Sequence, residues 1–544
     1  MALPATIQIT RRSLLCLFSF LAISAVLDTF VAIHASTTTD ESHHVDYGLQ
    51  ILRFEPDRHA EQFCDSQVPI SALNAAPQAM ASALRNHHLL GPVAFALGKY
   101  KVVRAPTVFA TLGLTVFIFL WVYDLYGETA AIASCLLCTL SPSLIAHGTL
   151  ATTDMYHALG IVAALYFFRR WLFQPTLGNA LVSALSLALA QIAKAFAVVL
   201  YVVVCLAIAA VMLNWTSLRT LSVKRVVVFT AMAVISLLAV LNCAYCFDRT
   251  FLPVNAYHFE SRMFNRLQAI PLLSHVAVPF PYPFLQGMDM MKESEDSGRS
   301  FGNTYLLGML GDTSNPAFHG FKSYYAVAYF YKEPIALQIL FIWGLIWIAR
   351  NRSVADLVTA EGLLLAAAAV LVVWMSFFSR AQIGIRHILP ALAIEIIVAA
   401  AAFSNFMAKS WPQKAVLCLL ALWFAVSTAR YYPAMIPYMN EWAGDRRFTY
   451  RLLADSNLDW GQDQPEVDKF LAKNPNVIVD PPRLMAGRIL VRANRLTGVY
   501  RWDSATYIAA RYQPVAQVGY AHFLFVIPAQ DAASDAPKHN ASQF

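Results

Sequence analysis

Several ionisable residues stand against apolar sequence, where charge is costly. Asp40-Glu41 follows the membrane-length run from Ser13 to Ile33, and Asp154 opens another run after Thr152-Thr153. Lys194 interrupts an otherwise uncharged run from Ala180 to Leu213, and Arg380 and Arg386-His387 lie between two further runs. An ionisable group at such a position is kept where it has a partner or a use. A carboxylate can take the proton of an attacking hydroxyl, a step worth roughly 10²- to 10⁴-fold, and cations can stabilise charge growing on a departing phosphate by a comparable factor. Together the two residue types fit a displacement whose leaving group is a phosphate.

Each residue also has a plainer reading. Thr37-Thr38-Thr39-Asp40 and Thr152-Thr153-Asp154 both read as helix N-caps. Lys194 can snorkel to the interface. Asp40 with His44, and Asp154 with His157, have the i,i+4 and i,i+3 spacing of metal ligands, although no compact set of three or four stands out and no cofactor is expected. On a helix Asp40, His43, His44 and Tyr47 share one polar face, whereas Asp40 and Glu41 point about 100° apart. Within the candidate catalytic group Asp40, Glu41 and Asp154, Asp40 is therefore the base and Glu41 an orienting or pairing residue. Lys194, Arg386 and Arg380 are the expected phosphate contacts, with His44, His157 and His387 in support.

The elements that must position these residues follow from composition. The 544 residues are 58% hydrophobic and 13% charged, with a mean hydropathy of +0.51, which fits a polytopic α-helical membrane protein and not a soluble one. The net charge of +7 comes from Lys and Arg in short loops between apolar runs, which carries orientation and is no nucleic-acid footprint. Spanning runs are expected near 13–33, 105–123, 129–147, 155–173, 226–246, 334–349, 361–378, 388–408 and 412–429. The run from Ala180 to Leu213 would be about 50 Å long as one helix, too long for a core of about 30 Å. It is flanked by Arg169-Arg170 and by Arg219, Lys224 and Arg225, so it should cross twice, turning near Gln191 to Lys194. The total is about eleven spans, and it puts Asp40, Asp154, Lys194 and Arg386 at one outer face.

Three segments then lie outside: 34–104, 247–333 and the region from Tyr431 onward. Residues 1–430 form the membrane domain. Residues 431–544 form a small α/β region, with strand-like runs at Asn476–Val479 and His522–Ile527, and the stretch from Tyr257 to Phe264 reads as an interfacial helix. Seven of the eight cysteines lie in apolar runs, the exception being Cys64, so a disulfide framework is not expected. Arg11-Arg12 before an apolar run also fits a signal peptide, but the run has the length of a retained span.

At Asp40-Glu41 with His44, Ser141-Pro142 to Thr153-Asp154, Lys194 and Gly384-Ile385-Arg386-His387-Ile388-Leu389-Pro390, the chain resembles the GT-C membrane glycosyltransferases. The resemblance is to the family of dolichyl-phosphate-mannose protein mannosyltransferases and bacterial lipid A aminoarabinose transferases. Asp455-Ser456-Asn457-Leu458-Asp459-Trp460-Gly461-Gln462-Asp463 resembles a segment recurrent among its bacterial carrier-lipid-dependent members. The resemblance implies a GT-C bundle, a polyprenyl-phosphate sugar donor, a lipid, glycan or protein acceptor, and a site facing the periplasm from a bacterial inner membrane. It also implies Asp40 as base, Asp154 as a second essential acid, and Lys194 and Arg386 as phosphate contacts. The chain departs from the family at Val68-Pro69-Ile70-Ser71-Ala72-Leu73-Asn74, where an Asn-Pro-x-x-Pro-Pro-like stretch is expected, and no β-trefoil segment is found. A secondary transporter, with the intramembrane charges forming a solute or proton path, is the alternative.

Overall fold

The computed structural model describes residues 9–56, 68–87, 90–216, 218–500 and 504–534, so Cys64 lies outside the described residues. The chain is a mostly helical, multi-pass membrane protein. In lipid a backbone must satisfy its own hydrogen bonds, and the apolar runs do so as helices. Arg11–His34 starts at Thr10, whose hydroxyl accepts from the Ser13 N–H at 3.1 Å, and stops where Ala35 turns extended. Among the described residues six helices are long and apolar enough to cross a membrane, or eight if each of two bent pairs is one span. Glu128–Leu140 and Pro142–Gly148 meet at 58°, and Tyr324–Lys332 and Ile335–Asn351 at 112°. Pro142 and Pro334 stand at these breaks, where the ring cannot donate to the preceding turn. The other expected runs are the shorter apolar helices Leu177–Gln191 and Glu361–Phe377, and the helix Asp154–Phe173.

The run from Ala180 to Leu213 breaks as the length argument requires. Leu177–Gln191 ends at Ile192, and a 3₁₀ turn, Ala195–Val198, leads into Val199–Met212. Helices Asp154–Phe173 and Leu389–Ala400 lie at the centre, with most residues of the first and nearly all of the second buried. A Cβ on Gly344 would collide with the Val398 carbonyl, so only glycine lets Ile335–Asn351 approach this closely.

The bundle has two chemically different ends. At one end Arg169 pairs with Asp124 at 3.3 Å, Arg352 with Glu361 at 2.9 Å, and the Thr10 and Ser13 hydroxyls donate to Glu128. Arg104, at the other end of the helix that carries Asp124, lies on the side of Asp40 and Asp154.

The segment between 247 and 333 is only partly helical where an interfacial helix was expected. Asp289 accepts from the backbone N–H groups of Glu260 and Ser261 and from the Ser261 hydroxyl, which holds that stretch as a loop, and the helix begins at Arg262 (Arg262–Gln268). Further on, a hairpin of β1 (Asn303–Leu306) and β2 (Met309–Asp312) joins the C-terminal region through Asn303 N–H to Val499 O at 2.9 Å. That region carries β3 (Ile478–Val479), β4 (Gly487–Arg492), β5 (Ala516–Val518) and β6 (His522–Ile527) in the order β3-β4-β6-β5. β4 lies antiparallel to β6, with buried Ile489 opposite buried Phe525. β3 and β6 coincide with the expected strand-like runs, whereas β4 was hidden by Arg488 and Arg492 at its ends.

Candidate active site

Asp40 occupies the N-cap position of the helix Glu41–Leu52, yet its side chain makes no capping hydrogen bond. Its carboxylate turns away, to Arg386 Nη1 at 2.8 Å and to the Trp460 Nε1–H at 3.3 Å. Burial alone would raise this carboxyl, but Arg386, with His44 and the Trp460 hydrogen bond, outweighs it and holds the group below its ordinary value. The capping role expected of Asp154 is likewise not made: it opens Asp154–Phe173 with no side-chain cap, and its carboxylate reaches Lys194 Nζ at 2.5 Å and Arg386 Nη1 at 3.8 Å.

Lys194 gets there because the break between helices leaves it extended, at φ −165° and ψ 141°. Arg386 gets there from the 3₁₀ turn Ile385–Ile388, with its guanidinium over the Trp460 ring at 4.1 Å from the centroid. The order Lys194, Asp154, Arg386, Asp40 therefore alternates in charge across one wall of a cavity of about 180 Å³. His44 and His387 line the same cavity. Burial pushes the His44 imidazole down to about 4, against the pull of Asp40 and Asp154, so it is neutral near pH 7. His157 is buried nearby but does not line the cavity, and neither of its ring nitrogens has a hydrogen-bond partner among the described residues.

Two of the expected residues are placed elsewhere. Glu41 is fully buried and faces the opposite way from Asp40, gripping Arg104 through both oxygens at 2.7 Å and accepting from the N–H groups of Thr38 and Ala151. Arg104 in turn donates to the carbonyls of Ala32, Ala35 and Ser36, so the pair ties the end of the first span to the loop before Asp154. The divergence expected of adjacent helical residues decides this placement. Arg380 donates to the carbonyls of Thr313 and Pro316 and lines a separate cleft of about 1050 Å³, with Glu295 between the two spaces.

Further lining comes from the C-terminal region. Asp455, Trp460 and Tyr500 line the cavity, and burial raises the Asp455 carboxyl to about 7 despite Arg386. Their loop is clamped to the turn that carries Arg386. Ser456 donates through its hydroxyl and its N–H to Ile383 O, at 2.5 and 3.2 Å, and Ile385 N–H donates to Asn457 Oδ1 at 2.9 Å. A Cβ on Gly384 would strike Ser456 Oγ. Lys332 adds hydrogen bonds to the Asn457 and Ile436 carbonyls, and Asp459 pairs with Arg492 at 2.8 Å. Residue types alone gave Asp455 and Trp460 no role, because contacts this distant in sequence leave no local periodicity. Their only signal was the family-like segment Asp455 to Asp463.

Among the described residues no group of three or more His, Cys, Asp or Glu side chains is arranged to hold a metal ion. Asp40 and Asp154 instead spend their oxygens on Arg386 and Lys194.

No protein-family model matches the chain, and no curated protein matches it. Two crystal structures of ArnT from Cupriavidus metallidurans, one bound to undecaprenyl phosphate and one in the apo state, are similar over 93% of this chain and 97% of theirs. The identity is 13%, with TM-scores of 0.44 and 0.31 respectively. An oligosaccharyltransferase from Archaeoglobus fulgidus, in complex with zinc and sulfate, is similar at 12% identity and a TM-score of 0.39, over 75% of this chain and 53% of its own.

Proposed function

We propose that the chain is an inverting GT-C glycosyltransferase that moves a monosaccharide from a polyprenyl-phosphate carrier to a hydroxyl of a lipid, glycan or protein. The observation that carries this reading is the alternating set Lys194, Asp154, Arg386 and Asp40 in one cavity at the end of the bundle away from the basic loops. The reading places the protein in a bacterial inner membrane with the cavity toward the periplasm, as the positions of those loops support.

In the mechanism Lys194 and Arg386 hold the carrier phosphate, Arg386 through its planar fork and Lys194 as a point charge. A phosphate beside Arg386 competes with Asp40 for the guanidinium. Asp40 then loses its counter-ion and regains proton affinity as the acceptor arrives. The acceptor oxygen attacks the anomeric carbon on the face opposite the phosphate, and its proton passes to Asp40. The bond between that carbon and the phosphate oxygen breaks with its electron pair on the phosphate, where Lys194 and Arg386 stabilise the charge. Asp154, paired to both cations, keeps them in place between turnovers. Glu41 and Arg380 take no part in the chemistry: one ties backbone segments together, the other caps carbonyls beside the larger cleft.

The transporter alternative needs ionisable groups continuing through the bundle. Lys332 and Glu333 are committed to the Ile436 and Asn457 carbonyls and to the Ser143 hydroxyl, an arrangement that braces the C-terminal loop, and the buried Glu395 of the central helix accepts from the Tyr329 hydroxyl. The deciding experiment incubates the purified protein with radiolabelled polyprenyl-phosphate sugars and a membrane extract as acceptor source. Transfer by the wild type is expected. Accumulation of label inside proteoliposomes, without a new glycoconjugate, would favour transport.

A further inference from the structure

Three carboxylates that tie loops together in this protein have both oxygens occupied. Glu41 has Arg104 and two backbone N–H groups; Asp459 has Arg492 and the Asn494 N–H; Asp289 has two backbone N–H groups and the Ser261 hydroxyl. Asp455 differs. One oxygen accepts the Ser456 N–H at 2.6 Å, no ion pair to it is found among the described residues, and the side chain lines the cavity that also holds Arg386 and Asp40.

Its direction is set by the backbone. Asp455 has φ +56°, a left-handed conformation that Asp and Asn tolerate better than most residues, and its N–H is fixed by the Asn494 side chain at 2.8 Å. The two cations of the cavity are already balanced by Asp40 and Asp154, so Asp455 is not needed to neutralise them. Nor does it suit the carrier phosphate, which like charge would repel. Beside it stand the Tyr500 ring and the Trp460 ring, one face of which Arg386 covers, and an aromatic ring next to a hydrogen-bonding carboxylate suits a molecule with an apolar face and a rim of hydroxyls. The cavity, at about 180 Å³, is smaller than the roughly 300–1,000 Å³ of pockets for drug-sized ligands and matches one sugar ring better than a chain of them.

We propose that Asp455 contacts the transferred sugar, accepting a hydrogen bond from a ring hydroxyl and thereby selecting a polyhydroxylated, uncharged monosaccharide. The proposal rests on the reading of the cavity as a carrier-lipid glycosyltransferase site. A uronic acid would bring a fifth carboxylate beside Asp40, Asp154, Glu295 and Asp455 and is disfavoured. The charged and titratable groups facing Asp455 are Arg386, Asp40, Asp459, Tyr324 and Tyr500. With its carboxyl raised by burial to about 7, sugar binding should strengthen as pH rises through that value.

The test uses the full chain in lipid nanodiscs and measures equilibrium binding of two kinds of probe: undecaprenyl phosphate, and a panel of undecaprenyl-phosphate hexoses and pentoses with their monodeoxy analogues. The variants are Asp455→Asn, which preserves shape and backbone tolerance, and Asp455→Ala. The expected result is unchanged affinity for undecaprenyl phosphate, within about twofold, and roughly 10- to 100-fold weaker binding of the best sugar-bearing lipid, as for loss of a charge-assisted hydrogen bond. One deoxy analogue should bind wild type as weakly as the parent binds Asp455→Ala, and should lose nothing further in that variant. Equal loss for both kinds of probe would overturn the proposal, because Asp455 would then be supporting the fold or the phosphate side. No loss for the sugar-bearing lipid would also overturn it. If wild type binds neither kind, the carrier-lipid reading itself falls and takes this inference with it.

Discussion

Asp40 and Arg386 form an ion pair at 2.8 Å in a cavity that Asp154 and Lys194 share, so the carboxylate proposed as the base is one whose proton affinity the resting cavity suppresses. A donor phosphate that draws Arg386 away removes the suppression. Asp40→Asn should therefore lower transfer by roughly 10²- to 10⁴-fold while leaving undecaprenyl phosphate binding intact or tighter, since Arg386 is freed. Radiolabel transfer and equilibrium lipid binding, measured on one preparation, check both halves. Retained transfer would remove Asp40 from the role of base.

The same competition has a pH signature. Asp40 must be ionised to act, and in the free protein Arg386 keeps it ionised to below its ordinary carboxyl range, so the acidic limb of kcat/KM should lie low. In the complex the phosphate shares Arg386, the Asp40 pKa rises, and the acidic limb of kcat should move to higher pH. Full pH profiles of both parameters test this, and coincident limbs would contradict it.

Arg386→Lys keeps the charge but loses the planar fork that reaches Asp40 and Asp154 while lying over Trp460. Undecaprenyl phosphate affinity is expected to fall at least about tenfold, with a further fall for Arg386→Ala. Equal affinity in the Lys variant would show that charge alone is read.

Glu41→Gln should behave as a stability variant. It leaves Arg104 buried without its counter-charge, at a cost of about 3–5 kcal/mol. The thermal midpoint should drop strongly, while the protein that remains folded retains its KM for donor. A selective loss of kcat in fully folded protein would return Glu41 to the chemistry.

Gly384→Ala drives a methyl group into Ser456, an overpacking cost of about 1–3 kcal/mol, and should loosen the clamp that sets Arg386 against Trp460. Adding Ser456→Gly removes the colliding oxygen and is expected to recover part of the lost transfer. Transfer rates of the single and double variants measure the coupling.

The residues legible in the sequence were those whose charge is expensive where it stands. Lys194 in an apolar run and Asp154 at the head of a span had to find partners, and they found each other. Glu41 and Arg380 share the residue type and approximate depth of true cavity residues, but depth does not fix direction: about 100° of helix separates Asp40 from Glu41, and Arg380 was drawn off by loop carbonyls. The C-terminal wall was illegible for another reason. Asp455, Trp460 and Tyr500 are ordinary loop residues until Ser456 and Asn457 bring them against the Gly384–Ile388 turn, and that pairing spans a distance no local pattern encodes. The break in Ala180–Leu213 was readable because bilayer thickness forbids the single helix.

The Ser456–Ile383 clamp also fixes how much of the chain is needed to close the cavity. Asp40, Asp154, Lys194 and Arg386 all precede in the chain the loop that completes their cavity, and that loop must reach the cavity end of the bundle before Trp460 can lie against Arg386. A ribosome-bound chain that has inserted every helix is therefore still an open half-site.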